Sequence, residues 1–497
     1  MAGWGSMRYT AIENDACQSK QFAVKNFQNV NNRTGISKWI GRGRAAAVVL
    51  LLCASPAVMP AQDTVRITLP EAIELAASRN IDVLRAENAL RSAQTRIYTA
   101  QGAFQPNLSV SAGPNVRYQL GTSDDPLSAS RNASGSFSMG LSSGYTLFNG
   151  SADRASLAQA EQLARATDIG IGRTTQNTSY AVITAFYEIA TARELIDVAR
   201  QALEAELSQL ERVQAFTEAG TRPIADQYAQ EATAAAAELR LLTARRNLEV
   251  AKLGLVELLR LDPLRTYDFP TPASVEVSDL LSSPEPALVD QAIARRPEIA
   301  AQQARIAAAT EGMRIADATN APTVTLSGSI GSSYSTLDER DGFGSQLFTQ
   351  NPNAGIGLSL SLPIFDRNRT EAAEALAQIE YENELLTMTE LRQQTTLEVR
   401  QAILDLNTAR AQLDAAQRQL AAAQQGLDVE QTRYETGVST LTELTQARAR
   451  FVEAQGQVVQ ARNTLELRRN GLIFVLGSMN APRGTLQPPT REEYEGR

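Results

Sequence analysis

The sequence predicts an α+β membrane protein in which a β-barrel shared by several chains continues into a long α-helical barrel. Three observations predict it: the mature chain contains a duplicated unit, each copy contains two strands of period two, and each copy contains very long helical stretches. Four strands per chain are too few to close a barrel, since the smallest bacterial barrels have about 8 strands. Several chains therefore have to share one barrel.

The composition excludes several classes of enzyme. The 497 residues contain no His and two Cys, and both Cys17 and Cys53 precede the expected mature start at Gln62. Without imidazole or thiol, the mature chain has no Cys/His zinc site, no Cys nucleophile and no Ser-His-Asp triad. The net charge of −8 argues against nucleic acid as a partner. We therefore expect no catalysis, no cofactor and no metal site.

Residues 1–61 have the pattern of a leader and signal peptide. Two Arg residues precede the apolar run 45–52, and small residues lead to the cleavage region. A transmembrane anchor is the alternative, but the run is shorter than the roughly 20 residues that a span needs. Lipidation of Cys53 is a second alternative, which the bulky Leu52 before it disfavours.

An internal repeat organises the mature chain. Ala76 corresponds to Ala292 in the second copy, and Gly220 corresponds to Gly437. The predicted parts are a first repeat, a Pro-rich equatorial linker that packs outside the helical wall, a second repeat and a C-terminal tail, at 62–262, 263–286, 287–478 and 479–497.

Each repeat contains two strands in which apolar residues alternate with Ser and Gly. This period of two, with one apolar face, matches a transmembrane barrel strand, although a soluble sandwich with one buried face has the same pattern. Polar stretches at 121–134 and 338–353 join the strands of each pair and are expected to be outward loops. The residues expected to face lipid are Phe137, Met139, Leu141, Ile356, Leu358 and Leu360.

Long helices follow the strands. Residues 150–216 and 367–435 are rich in Ala, Gln, Glu and Arg and contain no Pro. At 1.5 Å per residue such helices are on the order of 100 Å long. Two pairs of shorter helices each add up to about one long helix, and the pairs are 70–102 with 222–261 and 287–319 with 440–476. Stacked end to end beside a long helix, each pair gives a wall of constant height.

The duplicated order of elements resembles the TolC family of outer-membrane efflux proteins. The resemblance is carried by the endings LFNG and LPIFDRNRT, the turns TEAGTRPIADQ and YETGVSTLTEL, and the closing LELRRNGLIFVLG. It implies a homotrimer in the outer-membrane lipid of a Gram-negative bacterium, with a twelve-stranded barrel and a periplasmic helical tunnel.

The function implied by this resemblance is a passive exit duct of a tripartite efflux or type I secretion system. The implied partners are a periplasmic adaptor (membrane fusion) protein and an inner-membrane pump. The alternative is a secreted or surface-attached coiled-coil scaffold, which leaves the matched strands of the two repeats unexplained.

The two helix–turn–helix turns are the first candidate site. A Gly ends a helix in a left-handed conformation at little steric cost, and Pro223 suits the first turn of the following helix. The resemblance adds that Gly220, Thr221, Gly437 and Val438 lie at the tips that contact the adaptor.

The resemblance also places a gate beside these turns. Asp226 and Tyr434 match a carboxylate and a phenol that hold the closed entrance by a hydrogen bond between neighbouring helices. Glu443 and Gln446 take the places of two acids that ring the entrance, and Ser439 replaces a latch Arg.

Glu443 also has a purely structural interpretation. Thr440 and Glu443 have the spacing of a capping box, in which the Glu stabilises the start of a helix. The capping role and a cation-attracting ring at the entrance are compatible, and the sequence leaves both open.

Overall fold

The computed structural model describes residues 65–118, 133–274, 283–338 and 341–479. The predicted leader at 1–61, including Cys53, lies outside these ranges, as does all of the predicted tail except Met479. Most of the loop predicted at 121–134 lies outside them as well.

Six strands occur in the described part of the chain. They are β1 (Val65–Arg66), β2 (Asn107–Tyr118), β3 (Ala133–Asn149), β4 (Tyr267–Asp268), β5 (Thr323–Ser335) and β6 (Asn353–Ser361). The four longer strands form one antiparallel sheet in the order β2-β3-β5-β6, and β1 pairs with β4 in parallel. The four predicted strands are therefore present and adjacent.

The apolar residues of the sheet share one face. Leu141 lies opposite Val110 on β2 and Ile330 on β5, while Leu326 lies opposite Leu358 on β6. Residues directly opposite each other on antiparallel strands point to the same side, so these rows build one apolar face and the Ser and Gly rows build the other. Ile356, Leu358 and Leu360 are strongly exposed on this apolar face.

Eight helices of more than ten residues occur in the described ranges. They are α1 (Leu69–Arg79), α2 (Ile81–Gly102), α3 (Ala152–Glu218), α4 (Ile224–Leu258), α5 (Glu285–Arg295), α6 (Pro297–Asp317), α7 (Arg369–Glu435) and α8 (Leu441–Val475). Both α3 and α7 have 67 residues, which corresponds to about 100 Å. The same order of two helices, two strands, a 67-residue helix and a 35-residue helix therefore occurs twice.

The two long helices begin two residues later than the sequence predicted. Gly150 and Ser151 before α3, and Arg367 and Asn368 before α7, have positive φ angles and cannot belong to a right-handed helix. Gly150 is required for a second reason, because an added Cβ would lie 2.3 Å from the Cβ of Ala321. These left-handed residues turn the chain from the sheet into the helices.

The shorter helices are interrupted where the sequence suggested continuity. Asn80 separates α1 from α2; its side chain accepts from the N–H of Asp82 at 2.8 Å and starts the second helix. Arg296 separates α5 from α6, because Pro297 disfavours a helical conformation at the preceding residue. Arg296 is 2% exposed and pairs with Glu398 at 2.6 Å, which fixes this break against α7.

Three buried clusters hold the helices together. One lies where β1, β4, α1, α3 and α4 meet, and the second joins α5, α7 and α8. The third, built around Tyr434, joins α3, α7 and α8. The predicted linker contributes to the first cluster, since Phe269 is 1% exposed and packs edge-on against Phe186.

Candidate functional site

Two hairpin turns carry the candidate site residues. Gly220 and Gly437 have φ angles of 72° and 76°, the left-handed conformation that the sequence predicted. The N–H of the next residue, Thr221 or Val438, donates back to the preceding helix, at 2.9 Å to Phe216 and at 2.8 Å to Arg433. The tips are open to solvent, and the side chain of Val438 is 68% exposed.

Tyr434 is buried between the two hairpins. It is 5% exposed and packs with Val213, Leu441 and Leu444. The guanidinium of Arg222, from the first turn, lies 4.6 Å from the centre of the Tyr434 ring and donates to its backbone carbonyl at 3.4 Å. Such a cation–π contact contributes about 0.5–2 kcal/mol, depending on its shielding from water. The Tyr434 hydroxyl has no hydrogen-bond partner among the described residues.

Asp226 lies in the first turn of α4, where a carboxylate interacts favourably with the helix dipole. Its N–H donates to the carbonyl of Pro223 at 3.0 Å. Within the described part of the chain, no hydrogen bond or ion pair involves its carboxylate, and none joins it to Tyr434. Among the described residues, the polar contact of Tyr434 with the first hairpin is therefore made by Arg222 and not by Asp226.

Glu443 forms the predicted capping box. Its Oε2 accepts from the N–H of Thr440 at 2.8 Å, and the Thr440 hydroxyl accepts from the N–H of Glu443 at 3.3 Å. The backbone N–H of Thr440 lowers the pKa of the Glu443 carboxyl, and the hydroxyls of Ser439 and Thr440 lower that pKa further. Gln446 lies nearby on α8 and is exposed.

Ser439 lies between two carboxylates. Its hydroxyl is 2.7 Å from Oε2 of Glu430 and 2.8 Å from Oε2 of Glu443. A hydroxyl has one hydrogen and donates to one of these oxygens at a time. Arg433 pairs with the other oxygen of Glu430 at 2.6 Å and balances its charge. Ser439 therefore connects the end of α7 to the capping box of α8.

A buried polar cluster lies along the helices behind the turns. Arg448 of α8 is 7% exposed; it donates to Gln209 of α3 at 3.2 Å and lies 3.8 Å from the Glu206 carboxylate. Gln230 of α4 is fully buried and donates to the same carboxylate at 2.6 Å. Burial lowers the pKa of the Arg448 guanidinium, and Glu206 acts in the opposite direction. The ion pair joins α3 to α8, and the hydrogen bond from Gln230 attaches α4 to the same carboxylate.

Sequence reasoning missed Arg222 and this cluster. For Arg448 a signal existed, because Leu441, Leu444 and Arg448 have the spacing of one helix face, and an Arg in such an apolar row predicts a buried partner. Gln209 lies one helical turn before Val213, so the two side chains share one face of α3 and the same signal applies to Gln209. For Arg222 no local signal existed, since its contact partner Tyr434 lies 212 positions away in the sequence.

The model of the family described as "Outer membrane efflux protein" matches residues 72–259 and 288–478. The two matched segments cover most of the chain. The chain belongs to the outer membrane efflux protein family.

Two curated relatives of this outer membrane efflux protein match over most of their length. The pyoverdine export outer membrane protein OpmQ of Pseudomonas putida is 25% identical over 398 residues, which are 79% of this chain and 82% of the relative. Protein CyaE of Bordetella pertussis is 26% identical over 456 residues, which are 90% of this chain and 91% of the relative. The crystal structure of the outer membrane protein VceC from Vibrio cholerae has the same fold, with a TM-score of 0.68 and 20% identity over 82% of this chain and 96% of that chain.

Family membership settles location and general role. The protein is an outer-membrane exit duct, and the family is one of transport ducts rather than of enzymes. In the described ranges no helix is long and apolar enough to cross a bilayer. The same ranges contain no group of His, Cys, Asp and Glu side chains that could hold a metal ion.

Proposed function

We propose that three copies of the chain close one twelve-stranded barrel in the outer membrane and continue it as a periplasmic tunnel. The observation that carries the proposal is a four-stranded sheet with one exposed apolar face and two edge strands, β2 and β6, that pair on one side only in the described part of the chain. Long unpaired edges attract further strands, and closure into a barrel removes them. Leu141, Ile356, Leu358 and Leu360 then face lipid.

The turns at Gly220 and Gly437 form the periplasmic entrance in this assembly. The Tyr434 hydroxyl is buried without a partner among the described residues of one chain, and the carboxylate of Asp226 is equally without one there. The closed entrance brings the Asp226 carboxylate to the Tyr434 hydroxyl, and the hydrogen bond between them satisfies both groups. Three copies of Glu443 attract cations there.

The exposed tips suit contact with a periplasmic adaptor, which links the duct to an inner-membrane pump. Thr221 and Val438 are exposed at the two tips. The relative OpmQ is named for pyoverdine export. An outer-membrane duct that carries substrates from the periplasm to the exterior fits a tripartite efflux or type I secretion system.

Cross-linking between edge strands tests the assembly. The chain has no Cys after Cys53, so a leader-free protein with Ser109→Cys on β2 and Ser359→Cys on β6 has two thiols at opposite edges of the sheet. A short bis-maleimide should then give covalent trimers in mild detergent. The matched control is Ser142→Cys with Ser329→Cys, which are paired opposite each other on the inner strands and should link within one chain. A protein that remains a soluble monomer without detergent would contradict the proposal.

A further inference from the structure

The segment after β5 folds back onto the sheet. It forms a helical turn at Phe343–Ser345 and a wider π-type turn at Gln346–Gln350 before β6 begins. We call these eight residues the return turn. None of them is charged.

One side chain holds the return turn in place. Gln346 is fully buried; its Oε1 accepts from the N–H of Ser335 at 2.8 Å, and its Nε2 lies 3.0 Å from the carbonyls of both Asp338 and Asp341. Loop carbonyls and N–H groups that would otherwise need water are thereby satisfied by one amide. The return turn is a built element rather than an open loop.

The return turn lies on the apolar face of the sheet. The Phe343 ring is 4.9 Å from the Tyr334 ring and 5.7 Å from the Phe137 ring, and these two residues are opposite each other on β5 and β3. Ser332, which is opposite Met139, donates to the carbonyl of Leu347 at 2.6 Å. Phe137 and Met139 belong to the same face as Leu141, so the return turn covers the end of that face farthest from the helices.

Two aromatic side chains of the return turn stay uncovered. Phe348 is 73% exposed and Phe343 is 50% exposed. The return turn sits over the central strands β3 and β5, whereas a neighbouring copy would join the sheet at its edges, β2 and β6. A second copy is therefore a poor candidate to cover them, while the lipid that contacts the apolar face is continuous with this position.

We propose that the return turn is an interfacial membrane anchor, with Phe348 inserted among the lipids at the outer boundary of the bilayer. Aromatic girdles occupy this level in outer-membrane barrels, where a ring contacts acyl chains and the neighbouring backbone remains near water. Phe343 joins the anchor to the sheet through Phe137 and Tyr334. The inference rests on the proposed insertion of the apolar face into the membrane.

A single-tryptophan experiment tests the anchor. Trp4 and Trp39 are the two Trp residues of the chain, and both precede residue 62, so the leader-free protein has no Trp background. Phe348→Trp is reconstituted into phosphatidylcholine vesicles with bromine atoms placed either near the headgroups or deep in the acyl chains. Leu358→Trp reports the middle of the apolar face, and Tyr228→Trp reports an exposed site beside the hairpin turns.

We expect the Phe348→Trp emission to be shifted to the blue and quenched more by the shallow bromines than by the deep ones. Leu358→Trp should show the opposite depth preference, and Tyr228→Trp should not be quenched. Phe348→Trp emission that matches Tyr228→Trp, or that is blue-shifted without quenching because a second copy covers it, would overturn the anchor alone. Loss of quenching at Leu358→Trp as well would overturn the anchor together with the proposed barrel.

The role of Gln346 has a matched test in the Phe348→Trp protein. Adding Gln346→Leu keeps the size of the side chain and removes its hydrogen bonds, so quenching of the tryptophan emission by shallow bromines should weaken. Adding Gln350→Leu instead changes an exposed Gln of the same return turn and should leave the quenching unchanged. Equal quenching in the two double variants would show that Gln346 does not position the anchor.

Discussion

The substitution Tyr434→Phe deletes one hydroxyl and leaves the ring packed against Val213, Leu441 and Leu444. Tyr434 is 5% exposed, and its hydroxyl has no partner among the described residues. The substitution therefore reports whether this hydroxyl is bonded in the assembled protein. The proposed latch and an unpaired hydroxyl predict changes of opposite sign.

The magnitudes follow from the burial. An unpaired buried hydroxyl costs about 1–3 kcal/mol, so its deletion would stabilise the fold by that order if no group bonds it in the assembled protein. A hydrogen bond to a carboxylate contributes about 1.5–3 kcal/mol, so its deletion from a closed entrance weakens the closed state. Because about 1.4 kcal/mol is a tenfold change in an equilibrium constant, we expect the open population to rise by roughly ten- to a hundredfold.

Single-channel recording in planar bilayers measures this change as more frequent or longer openings. Asp226→Asn should have a similar effect, because it removes the charge of the proposed acceptor. The control is Tyr228→Phe, which removes a hydroxyl from a side chain that is 63% exposed and should change nothing. A Tyr434→Phe protein with a higher melting temperature and unchanged openings would refute the latch, because it would show that the hydroxyl is unpaired in the assembly as well.

Three further predictions concern the cap, the sheet and the buried cluster. Glu443→Gln keeps most of the capping geometry and removes the charge, so cation preference in bilayers should weaken. The folded-state pKa of Glu443 lies below its ordinary value of 4.5, so its stabilising effect is present above that pH and is lost as the pH falls through the folded pKa. Protection of the amides at the start of α8, measured as the exchange rate relative to the intrinsic rate at each pH, should therefore fall in acid in the parent but not in the Gln variant. Leu358→Arg on the apolar face should cost about 2–4 kcal/mol and reduce trimer yield on gels, whereas Ser359→Arg on the opposite face should cost far less. Arg448→Met leaves the buried Glu206 carboxylate without its charge partner, so the free energy of unfolding measured with denaturant should fall by about 3–5 kcal/mol. Adding Glu206→Gln should recover part of that loss.

Features with a local cause were predictable from the sequence. The alternation in β3 and β6 depends only on the pleat of a strand, and the left-handed Gly220 and Gly437 depend only on the end of a helix. The capping box of Thr440 and Glu443 follows from a spacing of three residues and forms as predicted. Each of these signals is complete within a few residues of the chain.

Features that depend on contacts between distant segments were not predictable in this way. Asn80 interrupts a stretch of good helix formers, and its side-chain N–H donates to the carbonyl of Leu258 at 3.2 Å, far along the chain. The return turn depends equally on the packing of Phe343 against Phe137, which the alternation of β3 marked only as an apolar position. Propensity and periodicity do not specify such contacts, because tertiary packing overrides them.

The guanidinium of Arg222 beside Tyr434 shows how the two hairpins depend on each other. The second hairpin has Ser439 where the family resemblance implies an Arg, and inside that hairpin the position is filled by a hydroxyl between two carboxylates. A guanidinium nevertheless lies against the ring, because Arg222 reaches it from the first hairpin. The two turns of one chain are thereby joined by a contact that neither hairpin contains alone. Separating the two turns exposes Tyr434 and breaks this contact, so the contact of Arg222 with Tyr434 opposes their separation.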